Sequence, residues 1–158
     1  SISNSLSEEF KDLEKRKLMK KPLLWEINRG LSLKSEDIVQ ASKTRSEWFE
    51  KMAFLLSKYD AAVLPSAQVQ PFDIDKEYPE TILNFSLDTY HRWMQVVVPA
   101  SLIGLPAISL PAGFCENNLP FGIQLIGKQF SDNHLLQIAE CWHKATSFPE
   151  KYPPSLIN

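Results

Sequence analysis

From Val96 to Cys115 the chain carries no charged side chain, and no other stretch narrows its fold so far. A membrane-spanning helix needs an apolar run of about this length, roughly 20 residues. Pro99, Pro106 and Pro111, with Gly104 and Gly113, argue against a span. Each internal proline removes a backbone donor, and lipid offers nothing in its place. A buried hairpin in a soluble protein fits better. Residues 107–110 (AISL) and 121–126 (FGIQLI) are short apolar runs, and residues 112–120 between them hold the Gly, Asn and Pro of a turn. Both runs are nearly continuous rather than alternating. The sheet they form is therefore expected to be covered on both faces, an α/β design.

The flanking sequence reads mainly as helix. Residues 8–21 are densely charged around Phe10, Leu13, Leu18 and Met19 and predict a surface helix. Pro22 is placed to open a short second helix and Gly30 to close it, with Leu23, Leu24, Trp25 and Ile27 inward. Ser35, Glu36 and Asp37 mark the start of a longer helix over residues 35–57. Its stripe is Ile38, Ala41, Trp48, Met52, Leu55 and Tyr59, interrupted by Arg45, whose head is expected to reach water. Residues 61–64 predict a buried strand. Residues 65–79 read as a solvated connection: Asp73, Asp75 and Glu77 alternate, but the glycine and closing glutamate of a calcium loop are missing. Phe85, Leu87, Tyr90, Trp93, Met94 and Val97 predict a helix over 82–97. Ser131 and Asp132 are expected to cap a last helix, 132–146, with Leu135, Ile138, Ala139, Trp142 and Ala145 inward.

Composition excludes several classes of function. Seventeen basic and nineteen acidic residues give a net charge of −2, which leaves no basic face for nucleic acid and no polybasic membrane anchor. Nothing near Ser1 reads as a secretory leader. Cys115 and Cys141 have no framework spacing, which points to a reducing, cytoplasmic setting. Cys141-Trp142-His143 is not a zinc spacing, and neither a metal nor a cofactor is expected.

Two blocks carry a family resemblance. Residues 104–114 read GLPAISLPAGF and residues 119–127 read LPFGIQLIG. Together they resemble the C-terminal block of the amidase signature family, with its GLPAIS-P-G-F segment, short turn and LP-x-G-x-Q-L-x-G segment. The leucine-rich helix at 132–144 and the strand ending in Pro65 match as well. Ser101 stands where many members carry asparagine, and Asn118 where many carry glycine. The resemblance is specific from about residue 60 to residue 145. It implies part of an α/β/α sandwich, with a short mixed sheet covered by helices. It also implies one partial domain: a mainly helical segment over 1–59, an amidase-like sheet and helices over 60–146, and a tail over 147–158.

The activity implied is hydrolysis of linear carboxylic amides by a Ser-Ser-Lys triad and a glycine-rich oxyanion loop. No two serines are adjacent here, and the five glycines never fall closer than five residues apart. In the family the triad precedes the block seen in this chain. No catalytic residue is therefore carried over, and the chain reads as a C-terminal portion that is inactive alone. Its expected partners are the missing catalytic portion and a small amide substrate, and unpaired sheet edges predict self-association. Two residues are candidates for the substrate pocket, Trp93 and Gln124; for Gln124, tying loops together is the stronger reading. Three alternatives stand beside this one. The chain is a non-catalytic binding module of the same fold, or part of the amidase subunit of a tRNA-dependent amidotransferase, or a self-contained enzyme with Cys115 as nucleophile and His91, His134 or His143 as base.

Overall fold

The structure, a computed structural model, describes residues 6–116 and 118–151. The expectations for residues 1–5, Asn117 and 152–158 lie outside the described residues. The chain divides into two units, Ser1–Arg45 and Ser46–Asn158.

The first unit holds α1 (Ser7–Lys11), α2 (Leu13–Lys17), α3 (Lys21–Leu31) and the first part of α4 (Ser35–Leu56). The single helix expected over 8–21 is broken at Asp12. Asp12 is extended, and its carboxylate accepts the N–H groups of Glu14 and Lys15 at 3.0 and 3.3 Å. Capping the second helix thus interrupts the first. Pro22 sits in the first turn of α3 as expected. Gly30 does not close that helix; it ends at Ser32, whose hydroxyl donates to the Arg29 carbonyl. Ile27 is buried, Leu23 and Leu24 are half-buried, and Trp25 is exposed. At the start of α4 the Asp37 carboxylate accepts the N–H of Lys34 at 2.9 Å.

The second unit contains the rest of α4, then β1 (Ala62–Pro65), β2 (Thr81–Ile82), β3 (Phe85–Ser86), a 3-10 helix (Tyr90–Val97) and α5 (Val98–Ile103). It continues with β4 (Ala107–Phe114), β5 (Pro120–Ile126), α6 (Asp132–Thr146) and α7 (Phe148–Lys151). The hairpin is β4–β5, closed by the Cys115 N–H donating to the Leu119 carbonyl at 2.9 Å. Asn118 occupies the left-handed region at φ 58°, which asparagine tolerates better than other side chains. The α/β architecture is the expected one. The sheet itself, in the order β1-β5-β4, is antiparallel at both pairings rather than mixed. A turn this short joins only antiparallel neighbours, and β1 lies antiparallel on the free side of β5.

Register places Ala62 opposite Ile126 and Leu64 opposite Gln124. Ile126 joins Met52 and Leu56 of α4 and Ala100 of α5 in the core, with Trp48, Ala62, Leu64, Ile103 and Leu105 packed around them. Leu125, on the other face by strand alternation, is also buried. α6 lies against β4 and β5. The central strand is therefore covered on both faces, as expected. β4 alternates instead, with Ala107, Ser109 and Pro111 exposed.

The core stripe of α4 is Trp48, Met52 and Leu56, a strict i, i+4 row. It is not the row through Leu55 and Tyr59, both of which are exposed. Trp48 is fixed by its indole N–H, which donates to the Pro99 carbonyl at 3.0 Å. Residues 82–97 are not one helix. Thr81–Ile82 and Phe85–Ser86 pair as a small hairpin through Leu83 at φ 53°, and Tyr90–Val97 is a 3-10 helix. Apolar residues spaced by three suit a helix of three residues per turn as well as an α-helix. Ser131 stands at the N-cap of α6, but its hydroxyl donates to the Lys128 carbonyl at 2.7 Å and not to the helix. Leu135 and Ala139 are buried and Ala145 is exposed. Trp142 ties α6 to β4, its N–H donating to the Pro111 carbonyl at 2.8 Å. Among the described residues no helix is long and apolar enough to cross a membrane.

Candidate functional site

A groove of about 760 Å³ opens where the ends of the strands meet the loop after β1. Its walls come from residues 65–72, Trp93, 109–111 and 120–122. Half of it is thus built from the connection that the sequence suggested was merely solvated. The signal was present: residues 65–72 (PSAQVQPF) carry no charge, and the acids begin only at Asp73.

Gln124 organises this region from within the sheet. It is the one buried polar residue among the described core and is 6% exposed. Its side-chain amide donates to the Pro65 and Val96 carbonyls, each at 2.9 Å. Gln68 completes the arrangement by accepting the Val96 N–H at 2.9 Å. These hydrogen bonds hold β5, the loop after β1 and the end of the 3-10 helix together. Gln124 is not among the groove's lining residues. Both its amide hydrogens are engaged by backbone, so it positions the walls.

Trp93 does line the groove. Its ring is met edge-on by Phe72 at 5.6 Å and by Tyr90 at 6.1 Å, and Tyr78 meets Tyr90 in the same manner at 5.8 Å. Edge-to-face contacts of this kind favour one ring orientation. The indole N–H of Trp93 is buried and has no acceptor among the described residues. Beside it, Arg92 donates to the Asp88 carboxylate at 2.9 Å. That hydrogen bond is the main cause holding the Asp88 carboxyl below its ordinary value.

Gly122 lets the two walls meet. A Cβ there would lie 2.7 Å from Ser66 Oγ and 2.9 Å from the Leu110 carbonyl oxygen. The second obstacle is backbone of a paired strand and cannot swing away. Gly122→Ala is therefore expected to destabilise the chain by about 1–3 kcal/mol through overpacking. A urea unfolding midpoint unchanged from wild type would show that the Leu110 strand yields.

The groups weighed as a Cys–His pair have these neighbours. Cys115 lies in the hairpin turn. The imidazole of His143 faces the Glu150 carboxylate at 2.9 Å, and that of His134 faces Asp60 at 3.6 Å. His91 stands edge-on to Tyr90. Among the described residues no group of three or more His, Cys, Asp or Glu is placed to hold a metal ion. Asp73 instead accepts the N–H of Asp75 at 3.0 Å.

The sequence profile of the Amidase family matches residues 2–136. The chain belongs to the amidase family. Among its relatives is a glutamyl-tRNA(Gln) amidotransferase subunit of Dehalococcoides mccartyi (strain 195), 36% identical over 114 residues, or 68% of this chain and 22% of that protein. The corresponding protein of Thermotoga maritima is 36% identical over 111 residues. Its crystal structure superposes on 69% of this chain and 22% of its own, with a TM-score of 0.51. A bacterial aryl acylamidase of the amidase signature family is 21% identical; it superposes on 94% of the chain and 31% of its own, with a TM-score of 0.79. That likeness shows the shared fold. This amidase segment thus spans between a fifth and a third of the length of these relatives, from 22% to 31%.

Proposed function

We propose that this amidase segment forms one wall of the substrate pocket of an amide hydrolase that acts on linear carboxylic amides. The Ser-Ser-Lys machinery then comes from polypeptide outside these 158 residues. The observation that carries the reading is the groove beside Trp93. It is shaped and held by a dedicated hydrogen-bond arrangement, yet no nucleophile paired with a base lines it. A substrate wall without its own chemistry is what a family member lacking the triad is expected to keep. Cys115 and Cys141 are both free thiols, which supports the cytoplasmic setting proposed from their spacing.

The test compares this chain alone with the longest protein encoded by its gene, assayed for ammonia release from acetamide and aniline release from acetanilide. The chain alone is expected to be inactive and a longer protein active. Turnover by the chain alone, or none by either, would overturn the reading; the latter outcome would leave a binding module. The identity of 36% to two amidotransferase subunits supports a second reading, in which the segment belongs to such a protein. Purification of the native protein as a single-chain enzyme would remove that reading.

A further inference from the structure

We propose that the groove beside Trp93 accepts an uncharged, mainly apolar part of the amide substrate and rejects amides that carry a formal charge there. This deepens the hydrolase reading and rests on it for the word substrate. None of the lining residues is Asp, Glu, Lys, Arg or His. Two other grooves differ in this respect: Asp88 and Arg92 line one, which shares Gln68 with the first, and Lys128 lines the other. A charged ligand group entering the first groove loses water and meets no counter-charge, an unfavourable exchange.

The nearest charges in sequence have partners of their own. Arg92, next to Trp93, is bonded to Asp88, and Asp73, next to Phe72, accepts a backbone N–H. Of the polar lining, Gln68 is committed to Val96. Ser66, Gln70 and Ser109 are the other polar lining residues and all are neutral; the rest of the lining is apolar, with the Trp93 ring steadied by Phe72. A neutral ring or chain matches that lining. The volume of about 760 Å³ lies within the range of small-molecule pockets, roughly 300–1,000 Å³.

The test titrates the 158-residue chain, and the longer protein where the gene encodes one, with three probes. These are benzamide, anionic 4-carboxybenzamide and cationic 4-(aminomethyl)benzamide. The readout is the indole N–H resonance of Trp93, assigned by its loss in Trp93→Phe. Benzamide is expected to bind at least about tenfold tighter than either charged probe. Gln70→Glu, at an exposed lining position and nearly isosteric, is expected to make the cationic probe the best of the three. Ala67→Asp is a second variant with the same expectation. Equal binding of all three probes, tighter binding of a charged one to the wild type, or no movement of Trp93 would overturn the proposal. So would an unchanged ranking in both variants. The two readings fail separately. A longer protein that hydrolyses no amide while benzamide still moves Trp93 removes the hydrolase and leaves the groove's preference. A hydrolase that prefers charged amides removes the preference alone.

Discussion

Gln124→Leu is expected to destabilise the chain by about 2–4 kcal/mol, measured by urea unfolding. Leucine fills a similar volume, so the loss is one of hydrogen bonding and not of packing. The wild-type amide donates to the Pro65 and Val96 carbonyls. Without it both carbonyls, in a part-buried setting, lose that donor, at up to about 1–3 kcal/mol for each group left unsatisfied. The damage should also be local. Residues 66–72 are held to the 3-10 helix through Val96, so limited proteolysis is expected to open that loop first. Gln129→Leu, at an exposed position, is the control and is expected to stay within about 0.5 kcal/mol of wild type. A Gln124→Leu variant as stable as that control would show that water replaces the amide, and the groove would lose its organising residue.

This arrangement marks the boundary of what sequence reasoning reaches. The hairpin, the last helix and the family were legible because local chemistry dictates them. Prolines exclude a membrane span, a turn-rich segment separates two apolar runs, and Asn118 suits a left-handed turn. That Gln124 would need partners was also legible, because a lone amide in an apolar strand cannot remain unpaired. Which partners it takes was not, since Pro65 and Val96 lie 59 and 28 residues away along the chain. The groove escaped for the same reason. Its walls come from four separate segments, and Phe72 and Tyr78 look like loop residues until Trp93 and Tyr90 are seen beside them. Helix boundaries failed where a side chain outcompetes the backbone pattern, as Asp12 does between α1 and α2, or where a spacing of three fits two kinds of helix, as at Tyr90–Val97.

The choice between Leu55 and Leu56 is the sharpest case, and it gives the other large effect. Both are apolar, adjacent and helical, and counting by three from Met52 selects Leu55. The structure selects Leu56, 1% exposed against 39% for Leu55. Continuing the i, i+4 row from Trp48 through Met52 leads to Leu56, which shares the core with Ala100 and Ile126. Leu56→Ala removes most of a buried side chain from a cluster supplied by α4, α5 and β5, and the neighbours belong to separate elements that cannot all close in. It is expected to cost about 2–5 kcal/mol, as large-to-small core changes do. Leu55→Ala, partly in water already, is expected to cost less than about 1 kcal/mol. Urea unfolding of the two variants side by side reads the helix's rotation directly. Equal losses, or a larger loss at Leu55, would place the wrong face of α4 against the sheet, and with it the Ile126 face from which Gln124 reaches the groove's walls.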